Sequence, residues 1–281
     1  VSGSLLALIL FAAVLHATWN FFAKRSGGSL TVLWLGAAIS TLATLPTAIA
    51  NQWGRPFPRD GYAIACASGV VHCGYWWALA RMYRYGDISL AYPIARGSGV
   101  LGTAIGSMLF IHEPLSLTGG LGIAAVCAGV FALGYQRHAT PVRIHAVALA
   151  LLAGLTITGY SLIDDRGVEK LDPTVYLAVE TGVGAALLAL FGWRRLRARL
   201  AVAYRKYWKT AWIIGVGSPI TYLIILFAFA HGPVSYISAV REFSVVIAAL
   251  LGARFLHERM SRARWVGIAM VVAGMVLIKL A

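Results

Sequence analysis

Ten uninterrupted apolar runs dominate the sequence, at residues 4–23, 30–50, 61–83, 88–111, 116–135, 144–163, 174–193, 208–230, 233–253 and 262–280. At about 1.5 Å of helical rise per residue, each is long enough to cross roughly 30 Å of hydrocarbon. The runs are continuous rather than alternating, which excludes a transmembrane β-barrel. With 59% hydrophobic and 12% charged residues, the chain is too apolar for a water-soluble enzyme or a disordered segment. The expected fold is an all-α polytopic membrane protein with ten transmembrane helices. The first run reads as a span rather than a signal peptide, because no basic segment precedes it.

The net charge of +14 arises from 24 Lys and Arg against 10 Asp and Glu. In a soluble domain this excess would point to nucleic acid. Here it is explained by loops, and no nucleic-acid partner is expected. Seventeen basic residues fall in odd-numbered connections and five in even-numbered ones or at the C-terminus. By the positive-inside rule the odd loops are cytoplasmic and both termini face outward, in a bacterial-type inner membrane. The largest basic group lies in Arg194–Lys209, which reads as a polar loop. Cys66, Cys73 and Cys127 lie inside apolar runs and offer neither disulfide nor metal-ligand spacing.

The chain is internally repeated with a shift of 145 residues. Phe110-Ile111-His112-Glu113 meets Phe255-Leu256-His257-Glu258, Ser116 meets Ser261, and Arg96 meets Arg241. The stretch from Gly122 to Gly129 meets that from Gly267 to Gly274 with six of eight residues identical. Five spans per copy is an odd number, so the second copy is expected upside down relative to the first. This gives two inverted five-helix repeats, residues 1–139 and 140–281. The His-Glu pairs close their spans and read as helix-end features, since HExxH spacing is absent.

The Gly-rich fourth span, the terminal Glu and the G-I-A-x-x-x-A-G fifth span, found in both copies, resemble the EamA branch of the drug/metabolite transporter superfamily. Trp19-Asn20 with Lys24 fits the first span of that branch, and Tyr160 takes a matching place in the sixth. The resemblance implies a carrier of small metabolites with a central cavity lined by spans 1, 3, 4, 6, 8 and 9. Most relatives keep their termini in the cytoplasm, whereas the loop charges here predict the opposite.

Charges inside the membrane are costly and mark function or pairing. Arg96 and Arg241 occupy equivalent positions on cavity spans. Their forked donors suit phosphate, phosphonate or carboxylate. The resemblance points the same way, because phosphate-carrying relatives use basic residues on the fourth and ninth spans. The competing reading is an internal ion pair with Glu242 or Glu180. Glu242 is placed to bind a substrate ammonium, carry a proton or balance Arg96; Glu180, outside the expected cavity helices, reads as structural. His16 and His72 are candidates for proton coupling alongside Glu242. Trp19, Asn20, Tyr75, Trp76, Tyr92 and Tyr160 are candidate lining residues.

The expected function is secondary active transport of a small anionic or zwitterionic metabolite by alternating access. An amino group on that solute would suit Glu242, and a proton or counter-substrate would drive the cycle. The alternative is export of hydrophobic or quaternary cations through an aromatic cavity. Neither a cofactor nor a catalytic set is expected. Asp164-Asp165 is the one acidic pair that an enzyme acting on lipid could use, and it reads as a charged helix end. The partners are the solute and membrane lipid, for a monomer or homodimer.

Overall fold

The computed structural model describes residues 2–26, 29–85, 88–134, 144–255 and 260–281. The helices among them are α1 (Gly3–Arg25), α2 (Leu30–Gln52), α3 (Arg59–Tyr85), α4 (Ile88–Gly106), α5 (Leu117–Gly134), α6 (Ile144–Val168), α7 (Pro173–Phe229), α8 (Val234–Val240), α9 (Phe243–Phe255) and α10 (Arg262–Leu280). They supply ten segments long and apolar enough to span a membrane. The boundary at 139/140 and the pair His257-Glu258 lie outside the described residues.

Three features depart from ten simple rods. First, the basic segment Arg194–Lys209 is helical, so spans seven and eight belong to one element, α7, interrupted only at Tyr207 (φ −125°, ψ 23°). Arg, Lys, Leu and Ala are good helix formers, so charge there does not mean loop. Second, α4 continues into a π-helical turn, Ser107–Ile111, closed by His112 in the left-handed region (φ 61°). Beyond it the Glu113 carboxylate accepts from the Ser235 hydroxyl and, at 3.4 Å, from its backbone N–H, joining the end of span four to the start of α8.

Third, the ninth span breaks at Arg241 and Glu242. The N–H of Glu242 donates to Ala239, that of Ser244 to Arg241 and that of Val245 to Glu242, each three residues back. The ladder tightens from α to 3₁₀ geometry at the two charged residues.

Small residues let the helices meet at backbone distance. A Cβ added to Gly122 would stand 2.8 Å from the Gly274 carbonyl oxygen, and one on Gly274 would stand 2.6 Å from that of Gly122. Gly129 and Gly267 face each other in the same way, at 2.7 Å in both directions. A shift of 145 residues converts one pair into the other. Without water to drive association, such close approach is what holds membrane helices together. The outer faces are apolar: Leu42, Phe110, Leu117, Leu190 and Phe191 are all exposed, as suits contact with acyl chains.

Candidate functional site

Between α1, α3, α4, α6, α7 and the α8–α9 break lies a cavity whose walls include His16, Trp19, His72, Tyr75, Trp76, Arg96, Tyr160, Glu180, Tyr222 and Arg241. Its volume is about 80 Å³, room for a few waters. A second cavity of about 60 Å³ shares Trp19, Ser40, Tyr75, Trp76, Thr181 and Ser218 with the first and is bordered by Asn20. Helix α2, through Ser40, and the first half of α7, through Glu180 and Thr181, therefore join the spans that the resemblance implied.

The two repeat-equivalent arginines stand in different surroundings. Arg96 is 2% exposed, and its Nε donates to Glu242 Oε2 at 2.9 Å. Its Nη2 approaches Oε1 at 2.6 Å as an ion-pair contact off the hydrogen-bond axis. Glu242 is itself fully buried, and the cavity wall receives the arginine rather than the glutamate.

Arg241 is 3% exposed and lines the same cavity. Its Nε and Nη2 have no hydrogen-bond partner, and among the described residues no carboxylate lies within ion-pair distance. Its guanidinium carbon sits 6.0 Å from the centroid of the Tyr160 ring. A desolvated cation with unspent donors is poised for a guest that brings an anionic oxygen.

An acidic cluster adjoins the same cavity. Asp164 is fully buried, because α6 continues to Val168 and carries it inside rather than ending before it. It accepts from Tyr176 at 2.7 Å and from the hydroxyls of Ser68 and Tyr222. His72 Nδ1 lies 3.2 Å from the Ser68 carbonyl oxygen and 3.2 Å from Glu180 Oε1. The His72 ring stacks on Tyr160 with centroids 4.1 Å apart. Glu180 is 1% exposed, lines the cavity, and leaves Oε2 without a partner. His72, Asp164 and Glu180 present ligand atoms within 4.8 Å of one another, with both Asp164 oxygens already taken by hydroxyl hydrogens. The reading of Asp164 as a helix end and of Glu180 as remote from the cavity is corrected by this packing.

The other candidates separate by position. Trp19 sits between the two cavities with its indole N–H unpartnered, and His16 meets its ring edge-on at 4.8 Å. Tyr75 and Trp76 face both cavities, while Trp77 turns outward beneath Arg81. The Asn20 amide donates to the His16 carbonyl at 3.1 Å, and the side chain borders the second cavity. Tyr92 packs against the small core of Ala91 and Ala95 rather than lining either space.

Residues 144–280 match the profile of the EamA-like transporter family. The match spans the second half of the chain and, with relatives named as transporters, supports a place in the drug/metabolite transporter superfamily. Among curated relatives, the multidrug transporter EmrE of Escherichia coli (strain K12) is 28% identical over 111 residues, 39% of this chain and 96% of EmrE. The uncharacterized transporter YwfM of Bacillus subtilis (strain 168) is 25% identical over 154 residues, 55% of this chain and 52% of YwfM. An uncharacterized transporter in the cobO 3' region of a Sinorhizobium species is 32% identical over 88 residues, 31% of this chain and 62% of its own. The chain thus spans only about half to two thirds of the last two. A solved crystal structure, described only as that of a protein, superposes with a TM-score of 0.79 at 16% identity. It covers 100% of this chain and 99% of the other, a likeness of fold alone. An EamA-like transporter acts on a small molecule from within the lipid bilayer.

Proposed function

We infer that this EamA-like protein is a secondary transporter for a small metabolite with an anionic group, best a zwitterion carrying an amine as well. The observation that carries the reading is Arg241, a buried guanidinium with two unspent donor nitrogens on the cavity wall. A carboxylate, phosphate or phosphonate oxygen satisfies it with charge-assisted hydrogen bonds. Glu180, which lines the same space with one unpartnered oxygen, suits an ammonium on the same solute. Tyr75, Trp76 and Tyr160 supply an aromatic wall for an apolar middle, and Trp19 offers a further N–H. Arg96 and Glu242 enter as a pair that aligns the site and keeps Arg96 at its edge.

Alternating access is supported by the glycine contacts, which exchange under the 145-residue shift as two inverted halves require. The loop charges favour odd loops in the cytoplasm of an inner-membrane protein with outward termini. The Asp164–Glu180 acids and the aromatic walls favour a second reading, a carrier for hydrophobic or quaternary cations; EmrE is named as a multidrug transporter.

A thermal-shift screen of the purified protein against phosphonates, amino acids and quaternary amines separates the two. Counterflow of the stabilising solute in proteoliposomes then follows, with Arg241→Gln beside the unaltered protein. Stabilisation by amino acids or phosphonates and loss of counterflow in the variant is expected. Stabilisation by quaternary amines alone reverses the assignment.

A further inference from the structure

The charges around the cavity do not cancel. Among the described residues, two guanidiniums, Arg96 and Arg241, face three carboxylates, Asp164, Glu180 and Glu242. Glu242 is spent on Arg96. Arg241 offsets one of the remaining two, so one negative charge is left in a region walled by hydrocarbon. Such a charge is expensive unless it acquires a positive partner or a proton.

We propose that Glu180 and Asp164, with His72 beside them on the cavity wall, form a single-proton site in which Glu180 carries the exchangeable proton. The arrangement of donors assigns the two acids different states. Asp164 receives three hydroxyl hydrogens, from Ser68, Tyr176 and Tyr222, which is the environment of an ionised carboxylate. Glu180 receives none of these: only His72 Nδ1 reaches Oε1, and Oε2 is bare although the side chain is 1% exposed.

Two carboxylates whose oxygens lie within 4.8 Å do not both stay charged in such surroundings, and the poorly solvated one keeps the proton. His72 is held neutral in this arrangement. Its Nδ1–H points at the Ser68 carbonyl oxygen, its ring lies flat against Tyr160, and Arg241 shares its wall of the cavity. The remaining groups that face Glu180 are accounted for. Tyr75 comes from α3, Arg96 (paired with Glu242) from α4, Tyr160 from α6, Tyr176 and Tyr222 from the two halves of α7, and His16 from α1; among the described residues α2 contributes Ser40 and Thr41.

The unpartnered donors of Arg241 are the independent sign that this space takes a guest. When the proton passes to cavity water, Glu180 becomes a carboxylate. The extra negative charge is then removed by a cationic group on a solute or by the return of a proton. Solute occupancy and protonation are thereby linked through one side chain. The link rests on the transporter reading; the proton site itself does not.

Infrared difference spectroscopy on the whole protein in lipid nanodiscs tests the site without any solute. The expected result, with Asp165→Asn removing the other buried acid of α6 in every sample compared, is the C=O stretch of one protonated carboxyl per chain at pH 7, shifted in D₂O and lost as the pH is raised. Glu180→Gln should delete it, and Glu169→Gln, at an exposed position, should leave it intact. The Asp165→Asn protein suffices for refutation even if Glu180→Gln does not fold. Absence of the band at pH 7 overturns the proposal, as does survival of the band in Glu180→Gln. Stoichiometric divalent metal in the purified protein, with no carboxyl band, likewise overturns it. An intact band with no solute found in the screen would remove the substrate reading and leave the proton site standing.

Discussion

Removing one member of the Arg96–Glu242 pair should destabilise the fold far more than removing both. The contacts of 2.9 Å and 2.6 Å join α4 of the first half to the break in the ninth span. At an effective dielectric constant of about 20, unit charges roughly 2.9 Å apart attract by about 6 kcal/mol, most of which offsets their desolvation. Arg96→Gln leaves Glu242 fully buried without its cation, which costs about 3–5 kcal/mol in comparable sites. Since about 1.4 kcal/mol is tenfold, the folding constant drops by roughly two to four powers of ten. Glu242→Gln should cost a similar amount. The double variant leaves two neutral amides able to hydrogen-bond, so its loss should fall below either single loss by about 2 kcal/mol or more. Unfolding in mixed micelles of mild detergent and SDS, followed by tryptophan fluorescence, measures all four corners of the cycle. Additive losses, or an Arg96→Gln protein within about 1 kcal/mol of the unaltered one, would refute a buried pair that holds the two halves together.

Arg241→Gln should be tolerated better, because no hydrogen bond or contact ion pair is lost, only the ring contact with Tyr160 and the offset of a more distant carboxylate. Its unfolding midpoint should stay near that of the unaltered protein, while affinity for the solute falls roughly 10- to 150-fold, as for loss of a charged hydrogen bond of about 1.5–3 kcal/mol; thermal shift with and without solute reads both. Gly129→Val, whose Cβ meets the Gly267 carbonyl oxygen at 2.7 Å, should cost at least about 1–3 kcal/mol in the same micelle assay. Gly192→Ala, with open space around it, should be neutral or stabilising by up to about 1 kcal/mol.

Asp172 caps α7 by accepting from the Thr174 N–H at 2.9 Å. Burial works to raise its pKa, but hydrogen bonds from Thr174 and Asn51 outweigh it and hold the carboxyl below the usual range. A depressed folded value means that the cap's contribution is full above the unfolded pKa of about 3.9 and is lost as pH falls through the folded one. Asp172→Ala should cost about 1 kcal/mol at pH 7 and progressively less in acid, read from unfolding midpoints along a pH series.

The ten spans were legible because a 20-residue apolar run is a long signal that few other structures produce. What surrounds the cavity was legible only in part. The apolar run ending at residue 163 stops one position short of Asp164, and that single step separates a helix-end acid from a buried one. Glu180 was hidden for a different reason. When lipid and protein interior are both apolar, a span has no polar face to set its rotation, so sequence alone leaves open which way its one acid points. Glu242 follows Arg241 directly, yet adjacent helical side chains diverge by about 100°, and its partner proves to be Arg96 on another helix. The break at Arg241–Glu242 carries neither proline nor glycine and leaves no local mark. Arg241 was found by the repeat itself, since alignment with Arg96 singled it out.

The crossing of α5 with α10 couples the histories of the two copies. Gly122 rests on the duplicate of Gly129, and Gly129 on the duplicate of Gly122. A methyl group gained by either copy strikes main chain, which has no rotamer by which to yield. Divergence is therefore free to proceed at the cavity-lining arginines, where the matched positions already differ in their partners, but is blocked where the backbones touch.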